Sequence, residues 1–261
     1  MPNDSNHSGP RAALITGGGR RIGRAIALGL ARAGYRIVLH AHRSRSDAEE
    51  LAARIASEGG KAAVVLADLS DPDAVRGVMP GASAFGPLTL LVNNASVFDE
   101  DEIGNLEREK FDNTMAVNLT APLFLAQAFA THVAEFAPAG ADCSIVNLTD
   151  QRVLRPTPRF FSYSLSKSAL QTATVTLAQA LAPHVRVNAV APGPTLPSPR
   201  QSLTQFAGQA AAVPLGQGPT PKDIAAAVLY LAGAKSVTGA TIAVDGGQHL
   251  AWRTVDSDVA E

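Results

Sequence analysis

Ala12-Ala-Leu-Ile-Thr16 runs directly into Gly17-Gly-Gly-Arg-Arg-Ile-Gly23, and from Ala25 to Ala33 apolar residues recur at helical spacing. A short continuous apolar run bounded by turn residues reads as a buried strand, and the periodic run after it as a helix. Strand, glycine turn and helix together form the start of a dinucleotide-binding unit. Glycines let the backbone turn tightly and approach a pyrophosphate, while the helix N-terminus offers unpaired N–H groups and the positive end of a dipole. Gly17, Arg20, Arg21, Ile22 and Gly23 are therefore candidate cofactor contacts. In an ordinary glycine-rich turn Arg20 and Arg21 would be solvated charges; the flanking strand and helix favour the cofactor reading.

Outward from this unit the chain keeps alternating. Strands are predicted over Arg36–His40, Lys61–Leu66, Leu88–Asn93, Ser144–Thr149, Val185–Ala191 and Thr241–Val244. Helices fall between them over Ser46–Glu58, Pro72–Met79, about Leu119–Phe136, Tyr163–Leu181 and Pro221–Leu231. Nearly continuous apolar strands separated by helices require a parallel sheet covered on both faces, so the fold class is α/β, a single-domain Rossmann-type doubly wound sheet of about seven strands. Gly193 to Gly218, rich in Pro, Gln and Gly, is the one long irregular stretch and reads as a lid loop or a disordered one. The domain is expected over 11–250, with polar tails over 1–10 and 251–261.

Composition limits the function classes. With 261 residues, 46% hydrophobic, and a net charge of -1, the chain fits one sizeable globular domain and gives no footprint for nucleic acid. Met1 to Pro10 lack an apolar core and clustered positive charge, so no signal peptide is expected and the predicted location is cytoplasmic. No run is long and apolar enough to span a membrane. The lone Cys143 cannot form an intrachain disulfide and reads as a small core residue. No metal site is predicted.

Chemistry enters at Asp150 and at Tyr163-Ser-Leu-Ser-Lys167. Residues four apart share a helix face, so an ammonium at Lys167 can sit beside the Tyr163 phenol and favour its ionised form, making Tyr163 a candidate proton donor near neutral pH. Taken alone, the pair reads equally well as a half-exposed tyrosine and a solvated lysine. Asp150, closing the apolar strand ahead of it, adds context. The cofactor type follows from charge. A carboxylate at the end of the second strand bonds the ribose 2′-hydroxyl of NAD, whereas a 2′-phosphate needs cations. Here the strand ends in His40, Ala41, His42, Arg43 and Ser44, with Arg20 available from the glycine turn, so NADP(H) is favoured over the reading of a solvated basic loop.

Taken together, these residues resemble the short-chain dehydrogenases/reductases, from about Ala12 to His249. The likeness rests on Thr16-Gly-x5-Gly23, Asp68, Asn93-Asn-Ala95, Asn118, Tyr163-x3-Lys167, Asn188, Pro192-Gly193 and Asp245-Gly-Gly247. It implies an NAD(P) cofactor and a tetramer or dimer formed through the two long helices. Tyr163 would act as acid or base, Lys167 would lower its pKa and hold the nicotinamide ribose, and Asn118 would support a water-linked proton path. Asp68 would bond the adenine, although a plain helix cap would look similar. By the same resemblance Leu69, Asn94, Ala95, Pro192 and Gly193 line the cofactor.

Two departures narrow the resemblance. Arg21 stands where most members have glycine, and Asp150 where most have serine. With Leu39-His-Ala-His-Arg-Ser44 and Asn94-Ala-Ser-Val-Phe98, the chain looks like the pteridine reductases within that family. The likeness implies that Arg21 and Asp150 face a pterin, Phe98 stacks on it and Ser96 bonds its edge. Alternatively, Phe98 anchors a loop in the core and Arg21 is a phosphate contact or a solvated charge. The expected reaction is NADPH-dependent reduction of a C=N bond, with Tyr163 as proton donor and Asp150 orienting it. Asp150 could itself donate only if burial kept it neutral. A general carbonyl reductase and a non-catalytic NADP(H)-binding sensor are the alternatives, and the intact Tyr163, Lys167 and Asn118 speak against the sensor.

Overall fold

The structure, a computed structural model, describes residues 11–252; the expected tail 1–10, and all of the second tail but Ala251 and Trp252, lie outside the described residues. Seven strands, β1 (Ala12–Ile15), β2 (Arg36–Ala41), β3 (Ala62–Leu66), β4 (Leu90–Asn93), β5 (Cys143–Leu148), β6 (Val185–Pro192) and β7 (Thr241–Val244), form one sheet in the order β3-β2-β1-β4-β5-β6-β7. All neighbours are parallel, with Leu14 opposite Val38 on one side and Leu91 on the other. The strand order reverses between β1 and β4, and the crevice beyond their C-terminal ends is where such sheets bind ligands.

Among the described residues there are eight α-helices: α1 (Arg21–Arg32), α2 (Arg45–Ser57), α3 (Pro72–Ser83), α4 (Arg108–Met115), α5 (Ala121–Phe136), α6 (Phe161–Leu181), α7 (Leu203–Ala211) and α8 (Pro221–Gly233). Ile26 and Leu30 of α1, Leu51 of α2 and Ile224 and Val228 of α8 pack on one face with Ile15, Leu39 and Val92. Val78 and Met79 of α3 and Leu125 and Phe129 of α5 pack on the other with Leu14, Val38 and Ile145. Strands buried on both sides account for the continuous apolar runs in the sequence.

The differences from expectation have local causes. α1 begins at Arg21 rather than Ala25, because the turn is compact enough for helix to start inside it. α3 continues through Pro80 to Ser83. α4 buries only Thr114 and is held by exposed pairs such as Arg108 with Asp112, so it has no apolar stripe to read. The stretch 193–218 is not wholly irregular: α7 lies inside it, opened by a capping box in which Ser202 and Gln205 each bond the other's backbone. Among the described residues no helix is long and apolar enough to cross a membrane.

Candidate active site

The glycine turn is fixed from beneath by β2. His40, buried at the end of that strand, accepts the Gly17 N–H at Nδ1 (3.2 Å), and Nε2 faces Ala67 O at 3.1 Å. This network assigns the neutral tautomer with its proton on Nε2, and burial lowers the ring's pKa in the same sense. The His40 carbonyl also accepts from Gly18 N at 3.0 Å. Only glycine fits at position 23, where a Cβ would lie 2.2 Å from Gly17 O. Across the switch point, Asn94 Nδ2 donates to Thr16 O (2.8 Å) and Gly17 O (3.1 Å), while the Asn94 and Ala95 amides donate to Thr16 Oγ1.

A cleft of about 1200 Å³ opens above this turn, with Ile22 and Leu69 among its walls and Pro192 and Gly193 at the exit of β6. Arg20, His42, Arg43 and Ser44 gather on its β2 side. Arg20 pairs with Asp47 at 3.7 Å and His42 with Asp68 at 3.6 Å, while Arg43 makes no ion pair among the described residues. These donors suit an anionic group such as a 2′-phosphate, and the turn with its helix N-terminus suits a pyrophosphate. Asp68 is not a helix cap. It accepts from Ser70 N (2.9 Å) and Oγ (2.7 Å), bonds that hold its carboxyl below the usual range, and Asp71 caps α3 instead.

At the far end of the cleft, β5 delivers Asp150 and the first turn of α6 delivers Tyr163. The phenol donates to Asp150 Oδ2 at 2.8 Å. Asp150 Oδ1 accepts from Arg152 N at 2.8 Å, and Arg152 Nη1 lies 3.3 Å from both carboxylate oxygens. Lys167 donates to Leu148 O at 2.7 Å, with its Nζ 5.7 Å from the centre of the Tyr163 ring. This corrects the expected electrostatics. Burial first, and then the Asp150 carboxylate, push the Tyr163 phenol well above its ordinary pKa, so it is held as a protonated donor rather than poised to ionise beside Lys167. Burial in turn lowers Lys167 to about 8, opposed by the charge of Asp150.

Asn118 lies in a π-helical turn, Ala116–Thr120, that joins α4 to α5. Its Oδ1 accepts from Val97 N (2.8 Å), and Nδ2 donates to Val97 O (2.9 Å) and Ser166 Oγ (3.1 Å). That side chain therefore clamps the loop bearing Ser96 and Phe98.

Phe98 stacks on Phe160 (4.3 Å between centroids, 8° between planes) and meets Tyr163 edge-on at 4.6 Å. Phe160 adopts a left-handed conformation (φ 55) just before α6, and Asp101 caps the helix beside it through Ser162 N and Oγ. Ser96 is exposed at the rim, its hydroxyl 3.3 Å from Val97 O. Arg21 also lines the cleft, yet its guanidinium donates to Pro197 O (2.9 Å) and Leu196 O (3.4 Å), bridging to the 193–218 stretch. From the other side of the cleft, Arg200 donates to Phe98 O at 2.6 Å. Arg152, Phe160 and Arg200 are site residues that sequence reasoning missed, and none belongs to a periodic pattern. His40 was read as part of the strand end beside the cofactor, but its bond to the glycine turn was not.

The site belongs to a widely shared design. A family described as enoyl-(acyl carrier protein) reductase matches residues 18–249. A "Short-chain type dehydrogenase/reductase" of Picea abies is 33% identical over 260 residues, covering 92% of this chain and 93% of that protein. Among solved structures, FolM Alternative dihydrofolate reductase 1 from Brucella canis, complexed with NADP, superposes with a TM-score of 0.89 at 48% identity, covering 96% of this chain and 97% of that one. A blue fluorescent protein from a metagenomic library, in complex with NADPH, gives a TM-score of 0.81 at 32% identity, covering 91% and 97%. With the glycine turn, the Asn94 stitch and the Tyr163–Lys167 pair in place, the chain belongs to the short-chain dehydrogenase/reductase family.

Proposed function

We propose that the protein is an NADPH-dependent reductase of a pterin-like ring, acting on a C=N bond of a dihydropteridine. The observation that carries this reading is the Tyr163–Asp150 hydrogen bond of 2.8 Å beside the Phe98 ring, which puts a protonated donor and a carboxylate next to an aromatic wall in one cleft. A flat, amide-rich heterocycle suits a stacking surface with donors and acceptors at its edge. Support also comes from the Brucella canis protein, whose description is an alternative dihydrofolate reductase complexed with NADP.

Bound along the cleft, NADPH would supply a hydride to the ring carbon. Arg20, His42 and Arg43 would hold its 2′-phosphate end and Lys167 its nicotinamide ribose. Tyr163 gives its proton to the ring nitrogen, exchanging Asp150 Oδ2 for the substrate as acceptor. Asp150 keeps the phenol oriented in the meantime, and the Arg152 charge, which acts to lower the phenol's pKa, eases the loss of that proton. Ser96 and Asp150 address the ring's edge, Phe98 its face, and Arg21 works through the 193–218 stretch, which covers the cleft as a lid. A homotetramer accompanies this reading, formed through α5 and α6, where Phe124, Phe136, Leu165 and Val175 are exposed. So does a cytoplasmic location, where a pool of reduced cofactor sustains the reaction.

The test is NADPH oxidation assayed side by side with dihydropterins and with simple ketones. A higher kcat/KM for a dihydropterin, with inhibition by diaminopteridines, is the expected result. Ready ketone reduction without dihydropterin turnover or diaminopteridine binding would leave a general carbonyl reductase. Cofactor binding without any turnover would leave a sensor.

A further inference from the structure

We propose that Arg152 is a positioning residue for proton transfer: its guanidinium balances the Asp150 carboxylate, while its backbone amide fixes which carboxylate oxygen Tyr163 addresses. The inference rests on the reading of Tyr163 as proton donor. Asp150 and Arg152 are both largely buried, with side-chain exposures of 15% and 18%. A carboxylate so placed, beside a wall of aromatic rings, needs a counter-charge. Arg152 supplies it from the turn that follows Asp150, with Nη1 at 3.3 Å from both oxygens. Its own amide takes Oδ1 at 2.8 Å, leaving Oδ2 for the phenol. One residue thus neutralises the carboxylate and orients it.

The guanidinium is itself caged. Its central carbon lies 5.5 Å from the Phe98 ring centre, 5.4 Å from Phe160 and 5.9 Å from Tyr163. Its Nε is buried without a hydrogen-bond partner among the described residues. A purely structural arginine would be expected to use that donor, since a buried unpaired N–H is unfavourable. Here the side chain is oriented toward Asp150 at the expense of Nε. The charged and titratable groups facing Asp150 are Arg152 from its own turn, and Tyr163 and Lys167 from α6. Arg159 pairs instead with Glu100, and Arg200 lies over Phe98 and Phe160. Removing Arg152 leaves the carboxylate beside a neutral phenol, with Lys167 as its remaining cation.

The experiment uses the full chain labelled with [13Cζ]tyrosine. It contains three tyrosines, Tyr35, Tyr163 and Tyr230, and Tyr163→Phe identifies the resonance of interest. At a fixed pH that resonance reports the phenol's hydrogen bond to Asp150, and Asp150→Asn displaces it. In Arg152→Met the resonance moves away from its wild-type position, while Arg152→Lys, which keeps the charge but not the fork, moves it less. In the same variants kcat on the best substrate falls about tenfold in Arg152→Met, with the NADPH KM little changed. A resonance at the same position in Arg152→Met and wild type overturns the proposal, as does a lowered melting temperature with an unmoved resonance. If Arg152→Met does not fold, Arg152→Lys and Arg152→Gln provide the same comparison. Should Tyr163→Phe retain turnover, the reading of Tyr163 fails separately, and the resonance position still decides whether Arg152 orients the pair.

Discussion

Replacing Asn118 with alanine removes three hydrogen bonds at once, two to the backbone N–H and C=O of Val97 and one to Ser166 Oγ, from a side chain with no exposed surface. Ser166 keeps its bond to Tyr163 O at 2.7 Å, so the principal loss falls on Val97, whose N–H and C=O both lose a partner. Leaving a buried polar group unpaired costs about 1–3 kcal/mol; with Val97 only partly buried, the sum for Asn118→Ala is about 2–5 kcal/mol. On a chain of this size that corresponds to a fall in melting temperature of roughly 4–20 °C. Because Val97 sits between Ser96 and Phe98, the damage is directed at the substrate end: KM for substrate should rise while NADPH affinity changes little. Asn118→Asp should fare no better, since it keeps the acceptor for Val97 N but sets a carboxylate against Val97 O. Thermal unfolding by circular dichroism and NADPH binding by fluorescence provide the two readouts. An unchanged melting temperature in Asn118→Ala, together with lost turnover, would refute the clamp and give the side chain a direct chemical role.

The other predictions use the same reasoning. Arg43→Ala should erase much of a preference for NADPH over NADH of about 1–3 kcal/mol, the scale of charge-assisted contacts, and equal affinities in the wild type by titration would sink the charge argument. Tyr163→Phe should cut turnover by at least about a hundredfold while leaving NADPH binding intact, and wild-type turnover in that variant would remove Tyr163 as the donor. Lys167, lowered to about 8 by burial, carries its charge below that pH and loses it above, so NADPH affinity and activity should decline as pH rises through about 8. The stability effect has the opposite sign: from about 8 up to the ordinary lysine range the unfolded chain binds more protons, so this group alone makes stability rise with pH. Activity that falls in step with the melting temperature over that range would contradict the assignment.

Much of the fold was legible because its five inner strands are buried on both faces and therefore spell out continuous apolar runs, and because the Gly17–Gly23 turn has a fixed place in such sheets. α4 was not legible, since charged pairs rather than an apolar stripe support it. α7 was hidden in a Pro- and Gln-rich stretch, although Ser202 and Gln205 spelled out its cap. At the site, the motif residues could be placed along the chain, but the distribution of charge could not. The effect of burial on Tyr163 outweighs a lysine four residues on, and the partner of Asp150 is Arg152, which no spacing rule singles out. Arg21 lines the cleft, but its bonds to Pro197 and Leu196, made from a left-handed backbone (φ 52), join segments 175 residues apart that no local pattern connects.

That reach has a thermodynamic consequence. Arg21 belongs to the glycine turn, and the carbonyls it holds belong to the 193–218 stretch. On the proposed reading, in which that turn meets the cofactor's phosphates and that stretch covers the substrate, a phosphate that drew the guanidinium toward itself would release Pro197 and Leu196. Occupancy at one end of the cleft and the posture of the segment at the other would then share a coupling free energy. Linkage makes such coupling reciprocal: a substrate that tightened the segment onto Arg21 and Arg200 would alter cofactor affinity by the same factor as the cofactor alters its own. Order of binding and order of release would be two readings of one equilibrium, with a single arginine as the shared term.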